Sequence, residues 1–173
     1  WGQPRNDHLN ELRVKGTRLL GQPGWMKSIP QSKAILYAPT YREYSDTTWF
    51  PFADWNRELF LLFLEENNLV LYMRTHLQES GNFGQFLGDR IIDLGSEKLE
   101  DIAEELPRFD LLITDYSSVF FDYAIVKQNS ESECEQYFGI GVEGIGILKE
   151  YLSYPIRLSI GIDLERLMLW LKD

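Results

Sequence analysis

The sequence predicts an α/β fold, a Rossmann-like parallel sheet with helices on both faces, and three observations support this prediction. Short runs of apolar residues alternate along the chain with segments of helical periodicity. These runs are continuously apolar, which is typical of parallel strands that are covered on both sides. The 173 residues, of which 44% are hydrophobic and 25% charged, suffice for one folded domain and argue against a disordered chain.

The N-terminal part of the sequence is broken by several glycines and prolines. Residues 1–32 fit an inter-domain linker region, within which a short helix is predicted around His8–Leu19. The first predicted strand, Lys33–Ala38, stops at Pro39. The loop that follows contains three large aromatic residues that fit either the core or a lid: Trp49, Phe50 and Phe52.

The middle of the chain continues this alternation of helices and strands. A helix is predicted over Asp54–Asn67, because apolar residues recur there at helical spacing. The residues of this stripe are Trp55, Leu59, Leu62 and Phe63. Two strands follow, Leu69–Met73 and the shorter Arg90–Leu94.

The next segment supplies the last clear strand and a helix that follows it closely. A helix is predicted over Leu99–Leu106 and a strand over Asp110–Thr114. The helix Ser118–Lys127 comes directly after this strand. Asp122 lies inside this apolar helix, where it fits a local hydrogen-bond acceptor.

Residues 129–173 read as a divergent tail of the same domain. A closing helix is predicted over Asp163–Lys172, with apolar residues along one stripe. Gly139–Gly144 has the letters of a dinucleotide-binding motif, which requires a preceding strand. Because Ser130–Gln136 is polar and acidic, an irregular loop is predicted instead.

Three predicted strand ends carry side chains that suit an anion. In open parallel sheets, ligands bind outside the carboxyl ends of the strands. Arg42 follows the first strand, Arg74 and His76 follow the second, and Thr114–Ser118 (TDYSS) leads from the fourth strand into a helix. Arginine binds phosphate through paired N–H donors, and a helix N-terminus favours an anion. The sequence therefore predicts a site for a phosphorylated ligand, and a diphosphate would use all three loops.

Each of these residues also has a purely structural interpretation. Arg42 fits a solvated surface charge, and His76 fits a hydrogen-bonded structural residue. Ser117 or Ser118 can cap the helix, and Asp115 can fix the turn between strand and helix. The convergence of three strand ends favours the binding interpretation.

Composition argues against several classes of protein. The net charge of −10 and the pI of about 4.7 argue against a nucleic-acid-binding protein. With Cys134 alone and with His8 and His76 far apart, the sequence predicts neither a metal site nor a cofactor. No apolar run approaches the roughly 18 residues of a membrane span. Because the chain begins at Trp1 rather than Met, we expect a piece of a longer protein.

Four stretches of the sequence resemble the CDP-glycerol glycerophosphotransferase family, whose polymerases and primases build teichoic acid chains. They are Gly2–Asp7 (GQPRND), Ile35–Arg42 (ILYAPTYR), Met73–His76 (MRTH) and Asp110–Tyr123, which contains TDYSS and FD. The stretches occur in the family's order over residues 1–127 and carry the residues of the predicted anion site.

This resemblance implies a fold, a site and a reaction. The fold would be the C-terminal half of a GT-B fold, in which residues 33–128 bind the nucleotide donor. His76 would be catalytic and would stabilise charge on the departing CMP. Glycerol phosphate would move from CDP-glycerol, or ribitol phosphate from CDP-ribitol, to a hydroxyl of a lipid-linked acceptor. The residues implied to bind the donor phosphates and nucleotide are Arg42, Arg74, Thr114, Asp115, Ser117 and Ser118.

The resemblance also implies partners outside the chain. The N-terminal GT-B half would supply a catalytic base, so this chain alone would bind the donor without transferring it. The parent enzyme would be cytoplasmic and peripheral at the inner face of the cell membrane. Two alternatives stay open: the donor-binding half of another GT-B nucleotide-sugar glycosyltransferase, or a non-catalytic phosphate-binding α/β module.

Overall fold

The computed structural model describes residues 4–15, 22–39, 49–75, 83–114, 117–127, 137–139, 157–158 and 163–172. These residues contain one sheet of six strands, all paired in parallel. The strands are β1 (Lys33–Ala38), β2 (Leu69–Met73), β3 (Ile91–Asp93), β4 (Leu111–Thr114), β5 (Tyr137–Gly139) and β6 (Arg157–Leu158). Their order is β3-β2-β1-β4-β5-β6, which is the order of a doubly wound Rossmann sheet.

Helices cover both faces of the sheet. The described α-helices are α1 (Pro4–Lys15), α2 (Arg57–Glu66), α3 (Val119–Lys127) and α4 (Leu164–Lys172), with short 3₁₀ helices at Phe83–Phe86 and Ala103–Arg108. Side chains along β1 alternate between two buried clusters: Ile35 lies in the cluster with α2 and α4, and Leu36 in the cluster with α1 and α3. The predicted fold class, with its parallel sheet between two helical layers, is confirmed.

The strand predictions succeeded where the apolar runs are uninterrupted. β1 and β2 have the predicted bounds, and residues Leu69–Met73 are all buried. The fourth strand begins one residue later than predicted, because Asp110 binds the neighbouring strand through its side chain. Its carboxylate accepts a hydrogen bond from the Ala34 amide at 2.7 Å, and its own amide donates to the Ala34 carbonyl at 2.7 Å.

The predicted apolar stripe of the second helix is correct for Trp55 and Phe63, which pack in the core, and wrong for its other two residues. Leu59 and Leu62 are 47% and 51% exposed, whereas the buried residues of α2 are Phe60, Phe63 and Leu64. The helix begins at Arg57 and is capped by Asn56, whose side chain accepts a hydrogen bond from the Leu59 amide at 2.9 Å. Its neighbours on this face are aromatic residues of the preceding loop, which are buried and therefore belong to the core rather than to a lid: Trp49, Phe50 and Phe52.

Two other helix predictions need correction. α1 begins at Pro4 instead of His8, since proline suits the first turn of a helix. The segment predicted as helix Leu99–Leu106 forms a 3₁₀ helix at Ala103–Arg108 instead. Pro107 lies inside that helix and has no N–H to continue an α-helical ladder.

The tail adds strands that the sequence pattern did not predict. β5, at Tyr137–Gly139, pairs with β4 where an irregular loop was predicted to begin. A strand of three residues is too short to show a periodic pattern. The rest of the glycine-rich stretch and Cys134 lie outside the described residues. α4 matches the predicted closing helix, and the Leu164 amide at its start donates to both carboxylate oxygens of Asp54, at 2.8 and 3.0 Å.

Candidate functional site

The carboxyl ends of three adjacent strands form the framework of the site. β1 lies between β2 and β4, so the residues after these strands emerge side by side. The buried Thr114 hydroxyl donates to the Ala38 carbonyl at 2.6 Å, which joins the ends of β4 and β1. The Arg74 amide donates to the Tyr37 carbonyl at 2.8 Å, which joins β2 to β1. Thr114 therefore shapes this edge through its hydrogen bond to Ala38.

The N-terminus of α3 lies at the same edge, directly after β4. The Ser117 hydroxyl accepts a hydrogen bond from the Val119 amide at 3.4 Å and so caps the helix. Ser118 is exposed, and its carbonyl accepts the Phe121 amide at 3.0 Å. Of the two predicted serines, Ser117 therefore has the capping role, and Ser118 presents its side chain to solvent at the end of a helix that attracts anions.

Arg74 connects the end of β2 to the loop after β3. Its guanidinium donates to three backbone carbonyls, those of Leu94, Leu99 and Glu100. Burial lowers the pKa of Arg74, against the attraction of Asp101 and Asp93, which raises it. Three of the five N–H donors of the side chain are used in these bonds, which leaves donor capacity for a phosphate. Phosphate binding by Arg74 stays a prediction.

Thr75, the residue after Arg74, is held in place by the same loop. The Thr75 hydroxyl is buried and donates to an Asp93 carboxylate oxygen at 3.0 Å. That oxygen also accepts the Gly95 amide at 3.0 Å. The Ser96 amide and hydroxyl each donate to the Thr75 carbonyl at 3.2 Å. The sequence pattern did not indicate this cluster, although Asp93–Ser96 (DLGS), at the end of β3, is a turn signal.

The sequence pattern also did not indicate an ion pair between two helices that are far apart along the chain. Arg5, in α1, lies 2.6 Å from a carboxylate oxygen of Asp122, in the first turn of α3. Burial raises the pKa of Asp122; Arg5 counteracts this and Asp101 adds to it. The sequence predicts a local hydrogen-bond acceptor at Asp122, whereas its partner in the structure is Arg5, near the start of the chain.

Three predicted site residues cannot be placed. Arg42, His76 and Asp115 lie outside the described residues, so their predicted roles stay predictions. In the described part of the chain, no group of three or more His, Cys, Asp or Glu side chains could hold a metal ion. Among the described helices, none is both long and apolar enough to cross a membrane.

Known proteins were compared with the chain by sequence and by structure. A sequence model of the family CDP-glycerol:poly(glycerophosphate) glycerophosphotransferase matches residues 1–128. A teichoic acid poly(glycerol phosphate) polymerase of Bacillus subtilis (strain 168) is 38% identical over 133 residues, covering 73% of this chain and 17% of the relative. A teichoic acid glycerol-phosphate primase of the same strain is 35% identical over 103 residues, covering 58% of this chain and 25% of the relative.

Two further matches extend the comparison to ribitol-phosphate enzymes and to solved structures. The teichoic acid ribitol-phosphate polymerase TarL of Staphylococcus aureus (strain NCTC 8325 / PS 47) is 30% identical over 130 residues, covering 73% of this chain and 23% of the relative. A structure of a variant of the wall teichoic acid polymerase TagF is 25% identical, with a TM-score of 0.54, and the match covers 99% of this chain and 42% of that one. The chain thus spans a quarter or less of the length of the curated relatives named here.

Proposed function

This chain belongs to the CDP-glycerol:poly(glycerophosphate) glycerophosphotransferase family, and we propose that it is the donor-binding half of a GT-B enzyme that extends a teichoic acid chain. The observation that carries this proposal is the exposed Ser118 at the N-terminus of α3, beside the joined ends of β1, β2 and β4. All of these elements lie within the residues that match the family.

The donor diphosphate is proposed to bind across this edge. The Ser118 hydroxyl offers an O–H donor and the dipole of α3 a positive end, and Arg74 adds a positive charge at the end of β2, on the same edge of the sheet. Arg42, Thr114, Asp115 and Ser117 complete this proposed set, with Thr114 and Ser117 acting through the strand end and the helix cap.

The proposed reaction is a phosphoryl transfer. An acceptor hydroxyl oxygen bonds to the β-phosphorus of CDP-glycerol, while the bond from that phosphorus to the bridging oxygen breaks. CMP leaves with the bridging oxygen, and the acceptor proton passes to a base of the N-terminal half. His76 is proposed to stabilise the charge that develops on CMP, since donors fixed at a leaving group lower the barrier.

The donor and acceptor are proposed from the relatives. CDP-glycerol is the first candidate donor, because the poly(glycerol phosphate) polymerase is 38% identical; CDP-ribitol is the second, because a ribitol-phosphate polymerase also matches. The acceptor would be a lipid-linked polymer, which would bring the parent enzyme to the inner face of the membrane as a peripheral protein.

Isothermal titration calorimetry of this chain tests the proposal. CDP-glycerol should bind more tightly than CMP or UDP-glucose, and CDP-ribitol is compared in parallel. Ser118→Ala should weaken binding about ten- to a hundredfold, the value of a lost hydrogen bond to a charged group. Ser28→Ala is the matched control, because Ser28 is exposed in the segment before β1, at the opposite edge of the sheet.

The outcomes separate the three candidate functions. Equal affinity for UDP-glucose and CDP-glycerol would favour a nucleotide-sugar glycosyltransferase. Binding of inorganic phosphate and CMP as tight as that of CDP-glycerol would favour a non-catalytic phosphate-binding module. Absence of CDP-glycerol binding by the folded chain would contradict the proposal.

A further inference from the structure

α1 brings a positive charge to the first turn of the proposed donor-binding helix. The Arg5 guanidinium lies 2.6 Å from the carboxylate of Asp122, which is only 7% exposed. Asp122 is one helical turn after Ser118, and its amide points to the Ser118 carbonyl at 3.5 Å. The ion pair therefore lies at the first turn of α3.

The position of Arg5 is set by the packing of α1. Leu9 and Leu12 of this helix are buried in the same cluster as Tyr123 of α3. His8 adds a contact between its ring and the carboxylate of Glu104, in the 3₁₀ helix Ala103–Arg108. Arg5 is thus delivered by an anchored helix.

The electrostatic problem at this turn explains why such a cation is needed. A buried carboxylate near a bound diphosphate repels it, because screening by water is weak there. Asp101 acts electrostatically on both Asp122 and Arg74, and Asp93 also acts on Arg74. Arg5 is the cation that lies against Asp122. Removal of Arg5 leaves the Asp122 carboxylate without this cation in the first turn of α3, next to the proposed phosphate site.

We propose that Arg5 is a positioning residue of the donor site: through Asp122 it holds the N-terminal turn of α3 and cancels the carboxylate charge behind the bound diphosphate. This inference rests on the proposed function of the same edge, and it assigns a role to a residue of α1 that lies outside the predicted phosphate-binding set.

Calorimetric titration with CDP-glycerol tests the proposal in four variants of the chain. Arg5→Met should weaken binding about tenfold, and Arg5→Lys, which keeps the charge, should bind within about threefold of the wild type. Adding Asp122→Asn to Arg5→Met should restore affinity to within about threefold of the wild type, because the repelling charge is then gone. Arg166→Met is the matched control, since Arg166 is exposed on α4 on the other face of the sheet.

A purely structural ion pair predicts a different pattern. In that case the double variant would bind no better than Arg5→Met. Arg5→Lys would also bind no better than Arg5→Met, although it keeps the positive charge. Thermal unfolding of each variant identifies those that fold. If Arg5→Met is unstable, the affinities of Arg5→Lys and of the double variant are compared with that of the wild type. Wild-type affinity in Arg5→Met, or a double variant as weak as Arg5→Met, overturns this inference alone. If the folded wild-type chain does not bind CDP-glycerol, the proposed function and the inference are both overturned.

Discussion

The two faces of the sheet are stabilised in different ways. On the face covered by α2 and α4, rings pack closely: Phe50 stacks on Trp55 with centroids 4.0 Å apart, and Phe60 packs against both. On the face covered by α1 and α3, apolar packing is joined by charge, as in the pair of Arg5 and Asp122. Apolar packing therefore stabilises both faces, and the second face also carries an ion pair in the first turn of α3.

The largest effect is expected from breaking the aromatic face. Phe60→Ala should lower the free energy of unfolding by about 3–5 kcal/mol, the typical result of emptying a buried phenylalanine site. The affinity of the folded protein for CDP-glycerol should change little. Urea unfolding followed by circular dichroism measures the loss. Leu62→Ala, on the exposed side of the same helix, is the control and should cost under about 1 kcal/mol.

The next effect is expected at the loop that supports Thr75. A Cβ at Gly95 would lie 2.6 Å from the Thr75 hydroxyl oxygen, so Gly95→Ala must displace the Thr75–Asp93 hydrogen bond. We expect a loss of about 2 kcal/mol in stability, as for other overpacked sites, together with weaker donor binding. Gly84→Ala is the control, because a Cβ there meets no atom within 4 Å. Equal behaviour of the two variants would refute a supporting role for this loop.

A smaller effect should come from the bond between the ends of β4 and β1. Thr114→Val removes the donor to the Ala38 carbonyl while keeping the side-chain shape. The loss should be about 1–2 kcal/mol, since a buried carbonyl loses its hydroxyl partner. Thr114→Ser keeps the hydroxyl and should retain most of that stability in the same urea titration. A Val variant as stable as the Ser variant would show that the bond contributes nothing.

The smallest effect concerns the titration of Asp122. Its pKa is raised, chiefly by burial, so the folded chain holds the proton more tightly than the unfolded chain does. The stability of the wild type relative to Asp122→Asn should therefore be greatest near pH 4 and fall as the pH rises towards neutral. Unfolding titrations at several pH values test this sign. Asp89→Asn, which removes an exposed carboxylate at the opposite edge, gives the baseline. A stability of the wild type relative to Asp122→Asn that rises with pH would contradict a raised pKa of Asp122.

The sequence predicted the sheet better than the helix faces. β1 and β2 were predicted with correct bounds because each is a short apolar run that contains a β-branched residue, Ile35 or Val70, and ends before Pro39 or Arg74. The buried side of α2 was not predicted correctly, because the run Leu59–Leu64 is apolar on every side of the helix and periodicity alone cannot select the buried one. Here the surrounding aromatic rings decide which side is buried.

The site was predictable only as far as topology determines it. Residues after parallel strands must share an edge, which brings Arg74, Thr114 and Ser118 together. The partners of these residues could not be predicted, because they depend on tertiary packing. The carbonyls that Arg74 binds and the Arg5 partner of Asp122 come from segments whose placement no local pattern specifies.

The most direct test of the central claim is to map donor binding residue by residue with two-dimensional NMR. CDP-glycerol should shift the backbone amide signals of Arg74 and of residues 117–121 at the carboxyl edge. Amides of residues 27–33 and 88–90, at the opposite edge, should stay unchanged. Saturable shifts confined to the first set would support a donor site at the N-terminus of α3. Shifts confined to the second set, or none at saturating CDP-glycerol, would contradict it.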